Sequence, residues 1–320
     1  MKHGFSFAGY GTSTFAGILA ILMWSSNVAV SKTAMNDLGA FNAAFLIYFF
    51  SGVFNIFILF VSLGKNKFLN DLRRLPIKYY LQTGIFIVFN NVFFYIALGL
   101  AKTNEELIIV ALLNYLWPVL ITVFKVPIYH FKVRSLFFYP GIAAALSGIA
   151  IALLQGYTYD ELVTIAGALD DNFLAFLFAL MGAISWAIYS NLIKKYGTKE
   201  DIVALPVIFI ISGIVFILIQ LFNGDMSTFT FNPLFRNPFL IYTIIGPTSL
   251  GYMFWYFAMK NGNRDLVTSV SYLIPLGSVF LVGIIHSIPV KPLFWISAIL
   301  IIAGAVLSMK AIVNKSSYNS

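Results

Sequence analysis

The sequence predicts an all-α polytopic membrane protein: ten transmembrane helices as two inverted five-helix repeats, with both termini cytoplasmic. Three observations carry that prediction. The 320 residues are 60% hydrophobic and only 10% charged, with mean hydropathy +0.90, whereas soluble domains carry about 25% charged residues. Apolar runs of bilayer-crossing length, about 20 residues, recur along the chain between clusters of charge, Pro, Gly and Asn. The basic residues, finally, fall mostly on one side of those runs.

The first five spans are expected at 15–33, 41–63, 79–100, 105–129 and 135–154. The second five are expected at 173–194, 202–222, 239–260, 265–285 and 293–312. The first run lacks a small-x-small cleavage site and leads straight into the series, so it is expected to stay in the mature protein. With no cysteine, disulfides, thiolate metal sites and cysteine nucleophiles are excluded. His3, His130 and His286 are too scattered for a metal motif.

A net charge of +8 could suggest nucleic acid in a soluble protein, but here the positive residues lie between spans. If the N-terminus is cytoplasmic, that side holds Lys2, Lys65, Lys67, Arg73, Arg74, Lys78, Lys125, Lys132 and Arg134. It also holds Lys194, Lys195, Lys199, Lys260, Arg264, Lys310 and Lys315. Only Lys32, Lys102, Arg236 and Lys291 fall opposite. Sixteen of twenty basic residues on one side set both termini inside. Asp160, Glu161, Asp170 and Asp171 lie in the one sizeable outer loop, in agreement.

That polar stretch, 157–172, divides the chain into a first unit, 1–156, and a second, 173–320. Five spans per half is odd, so homologous halves must be inverted, as in many transporters. Weak internal similarity supports this. Trp24 lies eight residues before Lys32, and Trp186 eight before Lys194. Phe94-Tyr95-Ile96-Ala97 matches Trp255-Tyr256-Phe257-Ala258, and Asn114-Tyr115-Leu116-Trp117-Pro118 matches Ser271-Tyr272-Leu273-Ile274-Pro275.

On the Asn114 to Pro118 run, together with Trp24-Ser25-Ser26, the chain resembles the drug/metabolite transporter superfamily, in its EamA-type branch. More narrowly, it resembles the YddG-type aromatic amino acid exporters of bacterial inner membranes. The resemblance covers essentially the whole chain. It implies a basket-like bundle with a central cavity lined by both repeats, and export of phenylalanine, tyrosine, tryptophan and related metabolites. One departure stands out: a carboxylate expected in the third helix is replaced by the amides Asn90 or Asn91. That bears on any assumption about substrate charge or proton coupling.

A polar side chain at mid-depth costs free energy unless it faces the bundle interior, a partner or water. The solute-binding candidates are chosen on that ground. In the first span, Trp24 and Asn27 share a face, while Ser25 and Ser26 read equally as small residues allowing close helix approach. Asn90 and Asn91 point about 100° apart, so one is expected to line the path and the other to bond a neighbouring helix; Tyr95 follows one turn on. Asn114, Tyr115 and Trp117 precede Pro118, whose missing donor kinks the helix; a purely structural kink is the competing explanation. Ser271, Tyr272 and Pro275 offer the related copy. Trp186, Tyr189, Tyr252, Trp255 and Tyr256 complete the set, since their polar handles need partners.

No Asp, Glu, Lys or Arg lies near the middle of an expected span. The binding site is therefore expected to be neutral, without an acidic relay; Glu105, Glu106 and His286 are the titratable groups nearest the outer mouth. Anionic cargo such as a nucleotide sugar would call for mid-membrane Lys or Arg. An enzyme would need paired carboxylates, a His cluster or a nucleophile triad, and none occurs. The expected role is secondary transport of amino acids, with another small metabolite or drug on the same scaffold as the alternative. No cofactor or metal is expected. The partners are a small-molecule solute and membrane lipid, without nucleic acid, for a monomeric chain.

Overall fold

A computed structural model of the chain describes residues 9–36, 38–154, 157–198, 201–222, 236–285 and 292–313. Helix α1 (Tyr10–Asn36) is followed by α2 (Ala40–Leu63). Gly39 and Gly64 bound α2 at φ of 72° and 80°, a region that a Cβ makes costly. The amphipathic α3 (Lys65–Arg74) buries Phe68 and Asp71 and exposes Lys65, Lys67, Arg73 and Arg74. Next come α4 (Ile77–Tyr79), a π-helical stretch (Tyr80–Gly84) and α5 (Ile85–Leu100) in one run. The pair α6 (Asn104–Asn114) and α7 (Trp117–Tyr129) shares one expected span, and α8 (Ser135–Leu154) closes the first half.

Residues 157–172, expected as a loop, instead hold the helix α9 (Tyr159–Asp171). Thr158 Oγ1 accepts the Glu161 N–H at 3.4 Å and Glu161 Oε2 accepts the Thr158 N–H at 2.6 Å. This reciprocal capping box satisfies two donors that would otherwise be orphaned at the helix start.

The second half opens with α10 (Phe173–Tyr196), and a 3₁₀ turn (Asp201–Val203) leads into α11 (Ala204–Phe222). Then α12 (Pro238–Thr243), a π-helical stretch (Ile244–Leu250) and α13 (Gly251–Asn261) form one run. A broken pair, α14 (Arg264–Ser271) and α15 (Ile274–Ile285), precedes α16 (Leu293–Lys310). The two-residue strands β1 (Lys132–Val133) and β2 (Ile312–Val313) pair antiparallel, clasping the α7–α8 link to the segment after α16.

Among the described residues, six helical stretches are long and apolar enough to cross a membrane: Ala40–Leu63, Ile77–Leu100, Ile109–Tyr129, Ser135–Leu154, Phe173–Tyr196 and Asp201–Phe222. Leu293–Ser308 is apolar but shorter. A helix meets its own backbone hydrogen bonds, which is what permits such segments in lipid.

The helices pack α8 on α16, α2 on α11, α5 on α10 and α1 on α13, with α1 also on α15 and α10 on α7. Exchanging the halves maps this set of pairs onto itself. The α8–α16 seam is glycine-dependent: a Cβ on Gly141 would stand 2.6 Å from the Ser308 nitrogen. Small residues that let backbones approach are how helices associate where lipid removes the hydrophobic drive.

One end of the bundle gathers the basic groups. Lys125 pairs with Asp265 and Lys260 with Asp201. Arg264 Nη1 donates to Tyr129 Oη at 2.9 Å, and Lys195 Nζ donates to Ile128 O at 3.1 Å. The start of α1 is there too, since the Asn263 N–H donates to Thr14 Oγ1 at 2.9 Å. At the opposite end, Asn172 Nδ2 donates to Leu100 O and to Glu106 Oε2, which also accepts the Lys102 N–H at 2.6 Å.

Candidate solute cavity

Two local irregularities in each half shape the centre of the bundle. Between α6 and α7 two residues interrupt the helix: the Tyr115 N–H still reaches Ala111 O at 2.9 Å, but the Leu116 N–H turns to Leu113 O at 3.2 Å. Pro118 stands at the second position of α7, where a missing donor costs nothing. Tyr272 and Leu273 repeat the tight turn, bonding Ser269 O and Val270 O, and Pro275 occupies the second position of α15. The kinks expected at Pro118 and Pro275 take the form of a two-residue turn just before each proline, the first of them inside the single spanning stretch Ile109–Tyr129. A proline that starts a helix loses no bond, whereas one inside it does.

The second irregularity is the π-helical stretch before α5 and before α13. Its wide turn strands carbonyls that side chains must satisfy. Pro247 O accepts Trp24 Nε1–H at 2.9 Å, and Ile244 O accepts Ser51 Oγ at 3.0 Å and Ser249 Oγ at 2.6 Å. A Cβ on Gly251 would stand 2.9 Å from Trp24 Nε1, so glycine is what lets that ring lie against the turn.

Between these irregularities lies a cavity of about 120 Å³ lined by Trp24, Tyr48, Asn90, Phe94, Tyr95, Asn114, Tyr115, Trp117, Trp186, Pro247, Thr248, Tyr252 and Ile274. Among the described residues, the lining holds no carboxylate, ammonium, guanidinium or imidazole. Trp24, Trp117 and Trp186 on the wall and Trp255 behind them are all in mutual contact, with ring centroids 5.2–6.2 Å apart. Tyr252 adds contacts of 5.7 Å to Trp24 and 5.0 Å to Trp186. Mostly steep interplanar angles set edge against face, the arrangement ring quadrupoles favour.

The adjacent amides divide the work. Asn90 lines the cavity, its Nδ2 3.2 Å from Asn91 Oδ1 and 3.5 Å from Tyr252 Oη. Asn91 is fully buried and turns to α11, donating to Ser212 Oγ at 3.1 Å while its Oδ1 accepts from Tyr252 Oη–H at 3.0 Å.

The remaining sequence candidates separate by position. Tyr95, Asn114, Tyr115, Trp117, Trp186 and Tyr252 reach the cavity with Trp24 and Asn90. Tyr189 and Trp255 are buried just behind it, Tyr189 touching Trp186 at 5.4 Å. Tyr256 lies toward the basic end, donating to Asp201. Ser271 bonds its own helix at Thr268 O, and Tyr272 pairs with Thr122 at 3.3 Å. The Asn27 side chain lies outside the described residues, as do those of Lys32 and Glu105 and all of His286. Ser25 meets α15 closely, since a Cβ on Gly277 would be 2.6 Å from its Oγ. Glu106 is an internal cap rather than an open mouth group.

Sequence reasoning missed Tyr48, Phe94, Thr248 and Ile274, and it missed the turn at Pro247. The run Gly246-Pro247-Thr248-Ser249, a breaker cluster inside an apolar span, was the available signal.

Comparisons with known proteins bear on this geometry. Residues 12–154 and 173–310 match the EamA-like transporter family. The chain is 26% identical over 298 residues to a protein named aromatic amino acid exporter YddG from Salmonella typhimurium, spanning 92% of this chain and 96% of that one. A protein of the same name from Escherichia coli K12 is 26% identical over 299 residues, with the same coverage. A solved crystal structure superposes with a TM-score of 0.72 over 95% of this chain and 99% of that one, at 21% identity. That likeness speaks to the fold.

Proposed function

The chain belongs to the EamA-like transporter family, and from that premise we propose that it exports amino acids, aromatic ones foremost, and related small metabolites. Membership makes it a multi-pass membrane transporter of the drug/metabolite type and not an enzyme. In this reading it spans the bacterial inner membrane ten times with both termini inside and works by alternating access between two inverted repeats. The two family matches, 12–154 and 173–310, support the repeat. So does the exchange symmetry of the helix packing, with paired π-helical stretches and paired helix breaks in corresponding places. The clustering of Lys125, Lys195, Lys260 and Arg264 at one end supports the orientation.

The observation that carries the reading is the uncharged, aromatic-walled cavity. Its tryptophan faces and edges suit a flat ring, and an ammonium gains from ring faces by cation–π attraction. A zwitterion's carboxylate needs donors; the Asn90 and Asn114 amides line the cavity, and the indole N–H of the lining residue Trp186 lies buried with no partner among the described residues. A net-charged solute would find no countercharge among the described lining residues.

The test is purified protein in liposomes given labelled phenylalanine, tryptophan, threonine and a cationic drug, with and without a proton gradient. Phenylalanine and tryptophan are expected to equilibrate without a gradient, because among the described residues no carboxylate lines the cavity. Failure to carry any amino acid would sink the reading, and gradient-driven accumulation would restore proton coupling.

A further inference from the structure

Four walls of the central cavity continue toward the basic end and enclose a second, smaller pocket. The lining passes from Trp117 to Lys125 on α7, from Trp186 to Ser190 on α10, from Tyr252 to Met259 on α13, and from Ile274 at the start of α15 back to Asp265 on α14. Each step is four to nine residues in the same direction, roughly 6–14 Å of helix. The second pocket is therefore stacked under the first along the bundle axis. Trp255 is the partition: its ring touches the three tryptophans above, and its Nε1–H donates to Ser190 Oγ at 3.1 Å below.

The chemistry inverts across that partition. The lower pocket presents the ammonium of Lys125, the guanidinium of Arg264 and the carboxylate of Asp265, with the Thr122 and Ser190 hydroxyls beside them. Arg264 is held in place, donating to Tyr129 Oη at 2.9 Å with its guanidinium 4.9 Å over that ring. The pocket volume is about 20 Å³, room for little more than one water, because Lys125 and Asp265 pair with each other across it.

We propose that this pocket is a second solute site on the transport path, built for the zwitterionic head of an amino acid. Lys125 and Arg264 take the carboxylate and Asp265 takes the ammonium. The inference rests on the amino acid reading above. An α-amino acid carries the same two charges as the Lys125–Asp265 pair. It can therefore replace each partner for the other as the basic end opens, leaving no buried charge alone. The Lys125 side chain is 11% exposed and that of Asp265 49%, so an arriving solute meets the carboxylate first. The ring then lies toward Trp255 and the aromatic cavity beyond it.

The test uses the full-length protein in vesicles of known sidedness, loading solute from the basic end or from the opposite end. Phenylalanine is compared with phenethylamine, which lacks the carboxylate, and 3-phenylpropionate, which lacks the ammonium, as competitors. From the basic end, Lys125→Met is expected to raise KM for phenylalanine and weaken phenylpropionate about tenfold, the scale of a lost charge-assisted bond, with phenethylamine unchanged. Asp265→Asn, at a half-exposed position that tolerates substitution, is expected to weaken phenylalanine and phenethylamine and spare phenylpropionate. KM from the opposite end should stay within about twofold, on the reasoning that distant sites are nearly independent. A pair that only latches the bundle shut would alter all three compounds alike or change rate without selectivity, and either result overturns the proposal. A wild-type protein that carries no amino acid from either side overturns the functional reading first. Wild-type transport with unshifted analogue selectivity in Asp265→Asn overturns this site alone.

Discussion

Around the central cavity, the described buried polar atoms are uncharged and, the Trp186 indole N–H apart, are satisfied one bond at a time across helices. Tyr252 Oη–H donates to Asn91 Oδ1, Asn91 Nδ2 to Ser212 Oγ, and Trp24 Nε1 to Pro247 O. Roughly 10 Å along the same helices, the basic end holds charges in pairs, Lys260 with the fully buried Asp201 and the largely buried Lys125 with the half-exposed Asp265. A neutral hydrogen bond contributes about 1 kcal/mol net. Removing one member of a buried ion pair costs about 3–5 kcal/mol. The contrast divides labour: the cavity can trade its bonds singly for those of a solute, whereas the basic end changes state only when whole pairs are exchanged.

The largest expected effect breaks the charged region. Asp201 is fully buried, and Lys260 donates to its Oδ1, to Thr198 O and to Tyr256 Oη. Lys260→Met leaves that carboxylate with the Tyr256 hydroxyl but without its countercharge and is expected to cost about 3–5 kcal/mol, read as a large drop in the unfolding temperature in detergent. Adding Asp201→Asn should recover most of the loss, since it removes the orphaned charge. A Lys260→Met protein as stable as wild type would erase the contrast between the two regions.

In the neutral region the same kind of deletion should cost less. Asn91→Ala removes the partner of Tyr252 Oη and of Ser212 Oγ, although Ser212 keeps its bond to Ile208 O at 3.0 Å. The expected loss is about 1–3 kcal/mol, that of unsatisfied buried hydroxyls, by the same thermal measurement. Freed from Asn91, Tyr252 should also shift in the cavity, so phenylalanine transport is expected to weaken together with stability. Loss of transport at unchanged stability would place Asn91 on the solute rather than behind it.

The difference between the regions also explains what the sequence could disclose. The six apolar stretches long enough to span were legible because length and hydropathy are local, and the interrupted helix was legible because Asn114 to Pro118 breaks an apolar run. Rotation about each helix axis was not. The mid-depth rule named Asn90, Tyr95, Trp186 and Tyr252, which line the cavity, and on equal terms Asn91, Tyr189, Trp255 and Tyr256, which do not. A helix apolar on every side has no polar face to set its phase. The same lack of phase hid Tyr48. The buried pairs were hidden for a different reason: Asp201 and Lys260 stand at helix ends 59 residues apart, and only the packed bundle joins them. Thr158-x-x-Glu161 was plain in the sequence, yet composition alone made that stretch look like a loop.

The smallest expected effect is the sharpest test of the cavity. Trp186 touches Trp24, Trp117, Trp255, Tyr189 and Tyr252, while its indole N–H has no partner among the described residues. Trp186→Phe keeps an aromatic ring at the contact and deletes only that donor, so the unfolding temperature should stay near wild type. If the donor meets the solute carboxylate, KM for phenylalanine should rise, by roughly three- to tenfold for one hydrogen bond, and phenethylamine, without a carboxylate, should compete as before. Lower stability with equal weakening of both compounds would assign the indole to packing. In that case the amides of Asn90 and Asn114 would be the next candidates to meet a carboxylate, and Asn90→Leu and Asn114→Leu would become the decisive variants.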